Sequence, residues 1–175
     1  VVVTLIRACG TCPSCAGGAP VIRIMPNLPA AIGQGVSGLC ADNSASEDQR
    51  ALVERLMEAA GTTLWVKDED ELDRLTAVAG SGPGYVFEIA RTYVEAAKSL
   101  GFSTEEARKL VLGTMAGTIA MAADADESLD QLRTNVTSKN GTTEAGLNAL
   151  NGDDNLDGRL KDTVEAAYKR AVELR

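Results

Sequence analysis

Downstream of a run of charges, Lys67-Asp68-Glu69-Asp70-Glu71, every periodic stretch of this 175-residue chain repeats with the helical period. Helices are predicted over 68–79, 85–100, 103–123 and, after a short piece begun at Ser128, over 143–150 and the C-terminal segment. Two starts carry cap signatures: Ser103-x-x-Glu106 reads as a capping box and Ser128-x-x-Gln131 as a second serine cap. Leu156, Leu160, Val164, Ala167, Ala171 and Leu174 mark one face of the terminal helix. Composition agrees, because aromatics make up only 3% and the apolar 45% is carried by Ala, Leu and Val, which favour helix. Gly113 and Gly117 form a GxxxG amid alanines, which implies close approach to another helix, in this chain or in a partner.

The front has a different grammar. Residues 1–6 and 21–25 are β-branched runs that read as buried strands, the second stopped by Pro26. Asn27-Leu28-Pro29 holds the chain extended, and Gly33, Gly35 and Gly38 interrupt a short strand ending near Cys40. Ser46 and Gln49 open a helix as a capping box, and Leu64-Trp65-Val66 is one more strand. This alternation predicts the end of a parallel α/β sheet over 1–67, followed by an all-α domain over 68–175.

Charge and composition exclude several functions. A net charge of −8 argues against nucleic acid and anionic membrane surfaces. No apolar run has the length of a membrane span and no signal peptide is recognisable, so a cytoplasmic location is expected. Histidine is absent, which removes imidazole from any acid–base or metal chemistry. Cys9, Cys12 and Cys15 have a metal-compatible CxxCxxC spacing, but Cys40 is distant and no His completes the set, so no metal is expected. Gly80-Ser81-Gly82-Pro83-Gly84 lies between helices without a following Lys-Ser/Thr, and reads as a helix break for tight packing rather than a phosphate loop.

The densest chemistry sits in VTSKNGTTEAG, residues 136–146. Thr137, Ser138, Thr142 and Thr143 surround Asn140-Gly141, two residues that tolerate a left-handed backbone, just before a helix start. A turn feeding a helix N-terminus presents unpaired N–H groups backed by the helix dipole, which suits a carboxylate. The plainer alternative is that Thr142 or Thr143 only caps the helix.

APVIRIMPNLPA (19–30), LTAVAGSGPGYVF (75–87) and VTSKNGTTEAGL (136–147) resemble, in order and separation, three signature stretches of the pyrroline-5-carboxylate reductase family. The resemblance implies the remnant of a Rossmann-like sheet followed by an all-α helical dimerisation domain, with homodimers that assemble in many members into decamers. It implies NAD(P)H-dependent reduction of the C=N bond of 1-pyrroline-5-carboxylate to L-proline, the last step of proline biosynthesis. By position, the turn from Ser138 through Asn140 and Gly141 to Thr142 and Thr143 matches the carboxylate-binding loop. Thr143 matches the hydroxyl beside the ring nitrogen, and Met25, Pro26 and Asn27 match the strand end beside the nicotinamide and its ribose. The family's glycine-rich dinucleotide loop corresponds to sequence ahead of Val1, so weak NADPH binding is expected of these residues, with NADH or NADPH preference unassigned. The alternative is a non-catalytic helical dimerisation module of the same lineage.

Overall fold

The computed structural model describes residues 2–4, 18–152 and 155–174. Cys9, Cys12 and Cys15 lie outside them. Four strands form one sheet in the order β1 (Val2–Thr4), β2 (Val21–Pro26), β3 (Gly35–Ala41) and β4 (Gly61–Val66). The expected strands are present, but the sheet is mixed rather than parallel. β1 with β2 and β3 with β4 run parallel, whereas β2 and β3 are antiparallel, with Ile24 opposite Leu39 and Pro26 opposite Ser37. The reason is length. Only Asn27–Gln34 joins β2 to β3, most of it the 3₁₀ turn Leu28–Ile32, and a parallel crossover needs a dozen residues or more.

Alternation along the strands loads both faces. Ile22, Ile24 and Leu39 pack with Val53 of α1 (Glu47–Glu58) on one side. Cys40 and Val66 pack with Leu72 and Leu75 of α2 (Glu69–Leu75) on the other. Each fully buried Leu or Ile contributes about 1.5–3 kcal/mol. Gly38 lets α2 lie directly on β3, since a Cβ there would stand 2.8 Å from Leu75 Cδ1 and 2.9 Å from Leu72 Cδ1. On this face Arg23 is mostly buried and pairs with Glu69 at the start of α2.

The caps fall where the sequence places them. Ser46 and Gln49 exchange both capping-box bonds at α1. Ser103 and Glu106 do so at α4 (Thr104–Asp124), and Ser128 caps α5 (Leu129–Asn135). The stretch around Gly80 behaves differently from the expected clean break. Thr76–Gly80 is a π-helical turn continuing α2, closed by Ser81 N–H donating to Thr76 O at 2.9 Å. α3 (Gly82–Ser99) then starts three residues earlier than expected, because Pro83 sits in its first turn, where the missing N–H costs nothing. Cβ atoms at Gly82 and Gly84 would meet nothing within 4 Å, so tight packing inside this chain does not account for them. α6 (Thr142–Leu150) and α7 (Asn155–Glu173) complete the helices among the described residues.

The chain divides into two compact units, Val1–Tyr85 with Asp162–Arg175, and Val86–Lys161. The expected domain boundary at 67/68 marks the change from strands to helices. The compact unit continues past it, because α2 covers the sheet and the end of α7 returns to α2, where Tyr168 OH donates to Asp70 Oδ1 at 2.7 Å. In the second unit the helices are thinly buried: α4 buries only Ala107 and Val111, while Ile119 and Met121 remain about 70% exposed (68% and 71%). Gly113 and Gly117 have open space where a side chain would stand.

Candidate functional site

The turn ahead of α6 is built from main-chain bonds. Gly141 N–H donates to Ser138 O at 3.0 Å, closing a four-residue reversal. Asn140 sits at φ 58°, the one left-handed non-glycine among the described residues. Gly141 itself is extended, at φ −88° and ψ 173°, so its conformation is open to any residue. What demands glycine is proximity: a Cβ there would overlap Ser138 Oγ and lie 2.9 Å from Ser138 O.

The four hydroxyls separate by role. Thr137 Oγ1 donates to Arg133 O at 2.6 Å and closes the end of α5. Ser138 Oγ lies against Gly141. Thr142 and Thr143 occupy the first two positions of α6, exposed, and neither caps it: the cap residue is Gly141, with no side-chain hydrogen bond. The N–H groups of Thr142, Thr143 and Glu144 have no carbonyl within the helix to receive them, as in any first turn. Glu144 is the one acidic residue in that first turn.

Sequence reasoning passed over Glu144. Its Oε2 accepts the Asn140 N–H at 2.6 Å, so the third helical residue reaches back past the cap to hold the turn. The signal was available as an acid three residues after Gly141, the spacing of a capping box.

Met25 and Pro26 end β2 in the other compact unit, and Asn27 follows as the residue that opens the 3₁₀ turn. Met25 packs against Cys40, Val66, Leu72 and Leu75. Asn27 is committed at both ends of its amide: Oδ1 accepts Val36 N–H at 2.9 Å and Nδ2 donates to Ala79 O at 3.1 Å. Leu28 and Ile32, just beyond, are exposed.

A dinucleotide's pyrophosphate does not fit the helix starts beside this sheet. The first turns of α1 and α2 carry Glu47 and Asp48, and Glu69, Asp70 and Glu71, and these charges repel phosphate where a nucleotide fold needs bare N–H groups. Burial, and then the charges of Glu69 and Asp68, push the Cys40 thiol above its ordinary pKa, against a smaller pull from Arg23 and Arg50, so it is not a reactive thiolate. Among the described residues no group of three Cys, Asp or Glu side chains could hold a metal, and no helix is long and apolar enough to cross a membrane.

By class, then, this is a sheet covered on both faces by helices and continued into a helical unit with open apolar surface. Residues 69–174 match the family model described as pyrroline-5-carboxylate reductase dimerisation, and the chain belongs to that family. It is 39% identical over 155 residues to a pyrroline-5-carboxylate reductase of Pseudomonas aeruginosa, covering 89% of this chain and 56% of that protein. Among solved structures it is similar to a pyrroline-5-carboxylate reductase from Coxiella burnetii, with TM-score 0.85 and 38% identity over 89% of this chain and 57% of the other. It is also similar to the Plasmodium falciparum pyrroline carboxylate reductase with NADP bound, with TM-score 0.81 and 28% identity over 87% of this chain and 61% of that one. The chain thus spans little more than half the length of the relatives it matches. The expected Rossmann-like remnant followed by a helical dimerisation domain stands, with the antiparallel β2–β3 pair as an amendment.

Proposed function

We propose that this chain forms the substrate-binding and dimerising part of a pyrroline-5-carboxylate reductase, an oxidoreductase acting on a C=N bond. The observation that carries the reading is the uncapped start of α6 behind the Ser138–Gly141 turn. A carboxylate held by the Thr142 and Thr143 N–H groups would meet the favourable end of the helix dipole. The ring nitrogen of a five-membered imine so held would lie toward the Thr143 hydroxyl. Reduction adds hydride to the imine carbon and a proton to the nitrogen, and NADPH or NADH is the hydride source for this chemistry. A threonine hydroxyl is too weak an acid to supply the proton unaided, so Thr143 orients the imine and relays a proton from water. Asn27, fixed on both sides, holds the end of β2 rigid for a nicotinamide, while the pyrophosphate seat is provided by residues other than those described.

Dimerisation belongs to the same reading. Open space at Gly113 and Gly117, with Ile119 and Met121 exposed on α4, supports a second copy packed on this helix, and assembly beyond the dimer is a further proposal. Sedimentation at micromolar concentration should give a dimer. Titration of the chain with L-proline, the product, should perturb the amides of Thr142 and Thr143 and leave α1 unchanged. No perturbation there would remove the assignment. The competing reading is a dimerising module without turnover. Absence of turnover when these 175 residues are joined to a relative's dinucleotide-binding front would establish it.

A further inference from the structure

We infer that Glu144 is a positioning residue for the carboxylate-binding turn, holding it in its ligand-ready shape through the main chain of Asn140. The inference deepens the reductase reading and rests on it. Glu144 Oε2 accepts Asn140 N–H at 2.6 Å, while Gly141 N–H closes back onto Ser138 O at 3.0 Å. The two bonds grip the turn from opposite sides, and between them sits a residue at φ 58°, a conformation that only Asn, Asp and Gly adopt readily. Without an external hold, Asn140 has an open choice of backbone wells, and the direction of the N–H groups that follow changes with it.

The side chain is placed for this task. Glu144 is half-buried, whereas Thr142 and Thr143 beside it are exposed. It lines a cavity of about 280 Å³ on the side of Thr137, Leu147 and Asn148, with Arg133 the cation among the lining residues. Arg133 pairs with Asp130 at 3.1 Å, which leaves the Glu144 carboxylate to the turn. A carboxylate at this third position is also favoured by the helix dipole. Its bond to Asn140 keeps the acid on the turn's amide, and the N–H groups of Thr142 and Thr143 stay open for a ligand. Binding to a preformed turn avoids the cost of ordering it.

The test compares the wild-type chain with Glu144→Met, which keeps the length and loses the acceptor, and Glu144→Gln, which keeps a neutral acceptor. Amide exchange at Asn140 should be slow in wild type and Glu144→Gln and fast in Glu144→Met. L-proline should bind Glu144→Met about ten- to a hundredfold more weakly, the range for one hydrogen bond to a charged group, with Glu144→Gln close to wild type. Both variants should remain folded by circular dichroism, and a merely structural role would instead lower the unfolding midpoint and leave affinity in the folded range unchanged. Equal Asn140 exchange in all three, or equal L-proline affinity, overturns the inference. A wild-type chain in which L-proline moves no amide refutes the reductase reading instead, and the exchange series still decides whether Glu144 holds the turn.

Discussion

Asn27 Nδ2 donates to the carbonyl of Ala79 at 3.1 Å, joining the end of β2 to the π-helical turn across 52 positions of sequence. The other end of the same amide receives Val36 N–H at 2.9 Å. One side chain therefore fixes the β2–β3 reversal and the exit of α2 together. Asn27→Asp keeps the acceptor and loses the donor, leaving the Ala79 carbonyl unmatched, while Asn27→Leu loses both bonds. The expected losses are about 1–3 kcal/mol for the first and more for the second, read from urea midpoints.

Gly38→Ala should destabilise the sheet unit by about 1–3 kcal/mol, the usual cost of overpacking. The new Cβ would lie under 3 Å from the methyls of Leu72 and Leu75, at 2.9 Å and 2.8 Å, where both leucines are packed in the core. Gly38→Ala with Leu75→Val should recover part of the loss. A single variant as stable as wild type by thermal unfolding would show that α2 can move off the strand.

Gly141 and Asn140 should respond in opposite ways to substitution. Gly141→Ala or →Val should abolish L-proline binding, through collision with Ser138 rather than through any backbone preference. Asn140→Gly should be tolerated, because glycine takes φ 58° without cost. Combining Gly141→Ala with Ser138→Gly should not restore binding, since the Ser138 carbonyl oxygen, 2.9 Å from the new Cβ, still obstructs it.

Thr143→Val preserves shape and deletes the hydroxyl. In a full-length enzyme carrying this domain it should lower kcat by roughly ten- to a thousandfold, the range for a positioned donor that acts in the transition state, with less change in KM. Unchanged kcat would leave the hydroxyl without a role, since it does not cap α6.

Asp42 gives a pH dependence with a definite sign. The Ser44 hydroxyl first, helped by the N–H groups of Val21, Ser44 and Ala45, holds its carboxyl below the ordinary value against the opposing effect of burial. Because the folded value is depressed, its contribution is complete above the unfolded pKa of ~3.9 and is lost as pH falls through the lower folded value. Asp42→Asn should flatten the stability profile below about pH 4 and leave it parallel to wild type at neutral pH. Urea midpoints across that range test this.

Much of this architecture was legible because it is local. Ser46 with Gln49 and Ser103 with Glu106 act within four residues, so their spacing alone announces the helix starts. Asn140 was readable as a left-handed position for the same reason. The antiparallel β2–β3 pair was less visible, although the connection's length held the answer. The break read over Gly80–Gly84 narrows to Ser81, since Pro83 falls in the first turn of α3, where it is tolerated.

What the sequence determined by itself is the order of elements, the helical character after residue 68 and the turn that precedes α6, all set by periodicity, caps and backbone preference over short spans. The tertiary structure alone decided the contacts that join segments distant in the chain or set how closely the backbone folds on itself. It bound Asn27 to Ala79, gave Gly38 its reason in Leu72 and Leu75, and showed that Gly141 is required by Ser138 and not by its own φ. Those outcomes depend on distances between segments that are remote in the chain or folded back on themselves. No local preference encodes such a distance, because it is the packing of the whole unit that sets it.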